Sequence, residues 1–346
     1  MTAKAPPLGE FGHAITGIFN FVPGDLIPTS SYFGLQLSDT YIMAHLRDPS
    51  RTRQLHVVRP VASETTAGMS FSVSREDGIY TDTRSGEFLR GGYVRRATDA
   101  GGNLSFAGSS GAWSGLNDKT LEASFGLEAA WHDSNCLDIR GPTLGPGLQL
   151  LLPWRDGAGW GGLLDVSIYY EVEGTLFGQP VLGFLILEMM FSPPGMTLHD
   201  SVLRRRYVGA WNAFATRFED GSVQYGQIGF GANPFRYANI MDGDKHIHGP
   251  ISSIKTEYAL DGMGSRVEYR LANGESWECV VGKNETLRDM TRMAAAQGSN
   301  CQVHKGAVGR VGDARPWRNR YAILEWFPDR LVNDASDMEI ALPAGF

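Results

Sequence analysis

The stretch DVSIYYEVEGTLFGQPVLGFLILEMMF, residues 165–191, reads as two long strands folded back on one another. Apolar and polar residues alternate through its first half, and Gly178 breaks the run. A two-residue turn at Gly178-Gln179 sets Glu188 opposite Tyr169. One face then carries Ile168, Tyr170, Val172, Leu185, Leu187 and Met189, nearly all apolar, and is assigned to a core. The other carries Ser167, Tyr169, Glu171 and Glu173 against Leu182, Phe184, Ile186, Glu188 and Met190.

That second face poses the functional question. A solvated sheet surface does not usually line up four large apolar residues, and a buried one does not usually hold three glutamates. A ligand cavity uses both, with apolar walls and a few polar groups for orientation or chemistry. In this register Glu171 is a diagonal neighbour of Glu188, roughly 5–8 Å away. Two carboxyl groups that close in an apolar cavity raise at least one pKa, which is how a neutral general acid exists at pH 7. The alternative is that Glu171 and Glu173 face water while Glu188 pairs with an arginine of 204–206.

The rest of the chain has the same texture. Segments 54–61, 70–74, 78–83, 222–231, 266–271 and 276–281 are short and rich in β-branched and aromatic residues. Asp77-Gly78, Asp220-Gly221 and Asn273-Gly274 punctuate them, among 43 glycines and 17 prolines. The reading is an all-β protein of antiparallel sheets with few short helices. Residues 284–297 are the best helical stretch. SPPGMTLHD (192–200) marks a boundary, dividing the chain into a β-domain over 1–195 and a second over 196–346.

Composition narrows the function classes. The formal net charge is −7 over 346 residues, and the basic clusters Arg95-Arg96 and Arg204-Arg205-Arg206 are short, so a nucleic-acid partner is not expected. No apolar run approaches the roughly 20 residues of a membrane-spanning helix, and no signal peptide is evident. Three dispersed cysteines suit a reducing cytoplasm better than a disulfide framework. No dinucleotide or phosphate-binding glycine motif follows a strand, and no nucleophile motif is present.

The segment VEGTLFGQPVLGFLILEMMFSPP, followed by Trp211 and FATRFEDGSVQYG (214–226), resembles the carotenoid 1,2-hydratases (hydroxyneurosporene synthases) and AttH-like proteins. Certain lipocalin-like Diels–Alderases are related to that family. Its middle segment has a glycine-containing strand, then Asp-His-x-Trp-Gly, a tryptophan, and a Phe-x-Asp-Gly hairpin. Here Gly183 matches the glycine, Glu188 takes the acidic position, Phe191 replaces the tryptophan, and Trp211 and Asp220-Gly221 match the later elements. Met189 stands where the family has histidine, so its Asp-His pair does not carry over. The resemblance implies two lipocalin-like β-domains and an aromatic or isoprenoid-like substrate. It implies hydration, isomerisation, cyclisation or elimination with no redox cofactor.

The expectation is therefore a cofactor-independent lyase, hydratase or isomerase with a small hydrophobic substrate, acting as a monomer or homodimer. Glu188 is the principal acid or base, with Tyr169, Glu171, His246 or His248 as the second group. His246 and His248 alternate with Asp242 and Asp244, which is also a metal-ligand spacing, though no third ligand is fixed and no metal is assigned. Tyr170, Phe184, Trp211 and Tyr237 are expected along the substrate walls, with Trp131 and Trp154 beside their polar neighbours. Arg204 or Arg206 is expected to orient Glu188 or a polar end of the substrate. Two other classes compete: a lipocalin-like carrier with no chemistry, and a carbohydrate-active β-sandwich using paired glutamates.

Overall fold

The computed structural model describes residues 14–328, apart from 23–31, 33, 50–53, 63–64, 67–69, 76–77, 82–91, 111–118, 134–135, 157–158, 197–207, 232–234, 261, 288–290 and 292–300. These residues form two antiparallel sheets. The first contains β1 (Ile15–Phe19), β2 (Gln36–Arg47), β3 (Gln54–Ala62), β4 (Thr65–Thr66), β5 (Ser70–Arg75), β6 (Gly78–Thr81) and β7 (Gly92–Thr98). It continues through β8 (Leu104–Ser110), β9 (Lys119–Phe125), β10 (Glu128–Asp133), β11 (Leu137–Pro142), β12 (Gly147–Asp156), β13 (Gly159–Leu176) and β14 (Gln179–Ser192). The second contains β15 (Val208–Phe218), β16 (Val223–Gly231), β17 (Arg236–Asp242), β18 (Lys245–Gly249) and β19 (Ile251–Tyr258). It ends with β20 (Gly264–Leu271), β21 (Ser276–Thr286), β22 (Gln302–Arg310) and β23 (Trp317–Trp326).

The first sheet curls back on itself, because β14 pairs with both β2 and β13. The second runs β18-β17-β16-β15-β23-β22-β21-β20-β19, so its two edge strands are consecutive in the chain and the barrel is nearly closed. The protein is an all-β chain of two lipocalin-like barrels.

Three apolar layers hold this together. The first sheet encloses Ile168, Tyr170, Val172, Leu185, Leu187 and Met189 with Trp131 and others. The second encloses Phe214, Ile228, Tyr269, Trp277 and Trp326. A third layer lies where the sheets meet, with Tyr169, Phe184 and Ile186 from one side and Tyr225, Tyr237, Tyr321 and Ile323 from the other. The two faces of the 165–191 hairpin are thus sorted as the alternation predicts, one into the first barrel and one into the junction.

The hairpin's register differs from the sequence expectation. Leu176 pairs with Gln179, so the turn is Phe177-Gly178, and Glu188 lies opposite Ser167 rather than Tyr169. Both turn residues have positive φ, 51° and 72°, as the mirror-image type I′ hairpin requires. A phenylalanine is an unusual occupant of that region. Phe177 is held there by edge packing on Phe71, with ring centroids 5.2 Å apart. Moving the turn by one residue shifts every partner by two, which changes neighbours but preserves faces.

Gly183 is required by close approach. A Cβ there would run into the backbone carbonyl of His45 on β2. The turns at Asp220-Gly221 and Asn273-Gly274 form as expected, each with a side-chain oxygen accepting a backbone N–H two residues on. The helix expected over 284–297 does not begin at Asn284, since Asn284–Thr286 finish β21. The Thr291 amide donates to the Leu287 carbonyl, and the remainder of that stretch lies outside the described residues.

Candidate acid/base site between the sheets

Odd-numbered residues of β13 and even-numbered residues of β14 point into the junction, which brings Asp165, Ser167 and Tyr169 beside Ile186, Glu188 and Met190. Facing them from β16 is Gln227. Its Nε2 lies 2.7 Å from Ser167 Oγ, 3.2 Å from Asp165 Oδ2 and 3.2 Å from Glu188 Oε1. Ser167 Oγ in turn lies 3.2 Å from Asp165 Oδ1. An amide nitrogen has two N–H bonds to give, so three acceptors share two protons. All four side chains are buried, and Glu188 is only 2% exposed.

Burial is costly for an ionised carboxyl, and here it dominates. It pushes Glu188 well above the usual carboxylate range, with Asp165 and Glu325 adding repulsion. Asp165 is pushed up to about 6 by burial, while its bonds from Gln227 and Ser167 pull the other way. The Tyr169 and Tyr237 phenols are also raised, first by burial and then by these two carboxyls. Both hydroxyls are buried without a hydrogen-bond partner among the described residues. The arrangement is two buried carboxyl groups whose pKa values burial raises, with an amide and two phenols as donors beside them.

Other junction residues form a basic cluster. His45 Nδ1 lies 2.8 Å from His56 Nδ1, and the His45 ring stacks on Tyr321 at 3.4 Å between centroids. Lys305 Nζ sits 4.9 Å from the Tyr321 ring centre, buried and without a hydrogen-bond partner among the described residues. Burial lowers both imidazoles well below their ordinary range, with neighbouring cationic groups acting in the same direction. The Lys305 amine is lowered by burial and by Arg47, against the pull of Glu285. Gln227, Ala213, Ile323 and Lys305 stand in one row across β16, β15, β23 and β22. The acidic and basic clusters are therefore about three strand spacings apart, on the order of 14 Å.

A cleft of about 330 Å³ opens at the junction, lined by Ile18, Leu144, Val223, Tyr225 and Met241 with Ser222 and Asp244. The Tyr225 ring is 5.0 Å from Tyr169, and its hydroxyl donates to the Pro146 carbonyl. Two phenols, their rings tilted 42° to one another, thus stand between the cleft and Glu188.

The structure gathers some of the sequence candidates and disperses others. Tyr169, Glu188 and Tyr237 share the acidic cluster, and Phe184 and Trp211 belong to the same apolar layer. Glu171 does not join Glu188. It pairs with Phe184, four residue pairs further along the hairpin, and its carboxylate accepts from Arg217 Nε at 3.0 Å and Nη2 at 2.5 Å. Tyr170 faces the first barrel's core and donates to the Gly126 carbonyl. Trp131 is buried in that core, while its neighbour Asp133 ion-pairs with the buried Arg59. Trp154 is on β12 opposite Gly161, its side chain outside the described residues, as are Arg204 and Arg206 entirely.

His246 and His248 are on the edge strand β18, their rings stacked with centroids 4.6 Å apart. His246 Nε2 contacts Asn239 Oδ1 at 2.8 Å. They do not share an extended strand with Asp242, because Gly243-Asp244 reverses the chain and Asp242 pairs with Lys245. Among the described residues no group of three His, Cys, Asp or Glu could hold a metal ion. No helix among them is long and apolar enough to cross a membrane.

Sequence reasoning put Ser167 on Glu188's face without giving it a role, and missed Asp165 and Gln227. Asp165 opens the quoted stretch and has the parity of Tyr169, so alternation alone places it on Glu188's face. Gln227 is one of two glutamines in the otherwise apolar strand VQYGQIGFG, and its odd parity puts it on the same face as Tyr225.

No protein-family model and no curated protein matches the sequence. Among solved structures, the chain is similar to kievitone hydratase from Nectria haematococca, at 9% identity over 92% of this chain and 99% of that one, with a TM-score of 0.41. It is also similar to CghA, solved with Sch210972, at 10% identity over 90% of this chain and 98% of that one, again with a TM-score of 0.41.

Proposed function

We propose that the protein is a cofactor-independent acid/base enzyme, a lyase, hydratase or isomerase/cyclase. Its substrate is a hydrophobic aromatic or isoprenoid-like small molecule, taken up at the junction of the two sheets. The observation that carries this reading is the sharing of the Gln227 amide by two buried carboxyl groups, both pushed above the usual carboxylate range by burial. An enzyme that protonates an alkene or carbonyl in an apolar site needs such an acid.

Glu188 is the proton donor. Asp165 is the second carboxyl, accepting a proton as the reaction closes, and Gln227 orients both. The Tyr169 and Tyr237 hydroxyls supply donors for a developing oxyanion. In a hydration, the Glu188 proton adds to one alkene carbon and the oxygen of water bonds to the next. That water then gives a proton to Asp165 or back to Glu188, and dehydration is the reverse. The cleft beside Tyr225 is the entry route, with Tyr169 and Tyr225 parting to admit the substrate.

The test is proton chemistry itself. Wild-type protein and Glu188→Gln are incubated in D₂O with aromatic enones and with acyclic isoprenoid alkenes, and carbon-bound deuterium is read by NMR. Incorporation by wild type that falls at least a hundredfold in Glu188→Gln supports the assignment. No incorporation by wild type, or retention within about threefold in the variant, rules it out. The carrier reading is favoured by the closure of the Glu188 face, and ligand recovered unchanged and unlabelled from the wild type would establish it.

A further inference from the structure

Thr216 on β15 pairs with Gln224 on β16 and with Arg320 on β23, so three side chains stand in one row across adjacent strands. Residues directly opposite one another share a face, and so do residues two apart along a strand. Phe214 and Ala322, two residues back along β15 and two on along β23, belong to the second barrel's core. The row therefore points inward, just beyond that core, into a cavity of about 390 Å³ at the barrel's mouth.

The chemistry of this mouth is donor-rich. Gln224 is 1% exposed, and its Nε2 has no hydrogen-bond partner among the described residues. Arg320 lays its guanidinium 4.3 Å from the Trp317 ring, a contact that leaves its N–H edge for another group. Arg310 and Arg315, also at the rim, are committed to Asp242 at 3.2 and 2.8 Å, and Arg315 further to Asp313 at 2.6 Å. Glu278 is held by Arg266 at 2.8 Å. Arg47 and Glu285 complete the charged lining. The Arg320 guanidinium is lowered first by burial and then by repulsion from Arg47, against the pull of Glu285, and an added anion would favour its charged form. Phe218, Val281 and Val308 supply apolar wall.

We propose that this mouth is a second binding site, for a carboxylate carried on an apolar body, with Arg320 as the charged fork and Gln224 as the buried donor. An Arg–carboxylate pair accounts for the head group, and the barrel's apolar rim accounts for the tail. Gln224 and Gln227 point to opposite faces of β16, so this site stands whether or not Glu188 is an acid.

Calorimetric titration of the full chain with octanoate, octan-1-ol and inorganic phosphate tests it. Octanoate is expected to bind one site, at least tenfold more tightly than either control. Arg320→Gln and Gln224→Leu should each weaken octanoate severalfold or more, and Arg320→Lys should fall between wild type and Arg320→Gln. Near-UV circular dichroism verifies that each variant is folded, and Arg320→Lys serves if Arg320→Gln is not. No octanoate binding, equal binding of octanol or phosphate, or unchanged affinity in folded Arg320 and Gln224 variants would overturn the proposal.

Discussion

Glu188 and Gln227 belong to different sheets, yet the Gln227 amide nitrogen lies 3.2 Å from the Glu188 carboxyl in a layer sealed from water. This bond ties the two barrels together through a group that is costly to bury ionised and cheap to bury protonated. Removing the donor leaves buried acceptors unsatisfied. Gln227→Leu should therefore lower stability by about 1–3 kcal/mol in chemical denaturation, whereas Glu188→Gln, which keeps a neutral polar group, should cost less. Equal losses would mean that Glu188 is ionised in the folded protein.

The pH dependence has a definite sign. Asp165 rises from an ordinary 3.8 to about 6 on folding, so the folded state holds its proton longer. Its contribution to stability is full below about pH 4 and is lost as pH rises through about 6. Unfolding free energies measured from pH 3.5 to 8 should show wild type losing on the order of 1–3 kcal/mol relative to Asp165→Asn across that window. A difference that is flat with pH would refute the assignment.

His45 and His56 act in the opposite sense. Their folded pKa values are depressed, so their contribution is present above the ordinary histidine value and is lost as pH falls below it. The double variant His45→Gln, His56→Gln should lose less stability than wild type between pH 7 and pH 5. A steeper acid loss in the variant contradicts this.

Lys305 is predicted to be a stability liability. Its amine is buried, has no hydrogen-bond partner among the described residues and is lowered below its ordinary range. Lys305→Met keeps the length and the contact with Tyr321 while removing the desolvated amine. The melting temperature should rise by a few degrees. A drop of similar size would show that the contact between the amine and the Tyr321 ring outweighs its desolvation.

Glu171 and Arg217 link the sheets at a half-exposed position, and such pairs contribute little. Glu171→Gln should cost under about 1 kcal/mol, with the loss shrinking at 1 M salt, and should leave turnover within twofold. A hundredfold loss of turnover would return Glu171 to the list of acids.

How much of this was legible in the sequence follows from which quantities are local. The two faces of the 165–191 hairpin were readable because alternation survives any even shift of register. The partner of Glu188 was not, because the turn is set by Phe177, whose unusual backbone is stabilised by Phe71, far away in the chain. Glu188 stood out as a carboxylate in an apolar strand, but its neighbours come from the packing of one sheet on another, which no strand pattern encodes. His246 and His248 alternate correctly for an extended strand, and a two-residue turn removed their acidic neighbours. The basic cluster was missed although His45 in YIMAHLR and Lys305 in QVHKGAV carry the same signal as Glu188, a polar residue inside an apolar run.

The row from Gln227 to Lys305 has a consequence for how the barrels come apart. Parting the sheets would wet a carboxylic acid at one end and an amine at the other. Wetting would bring the Glu188 and Asp165 carboxyls down toward their ordinary range, and the Lys305 amine and the two imidazoles up toward theirs. The acidic end of the row would push protons out and the basic end would draw them in, so separating the barrels would create charge of both signs.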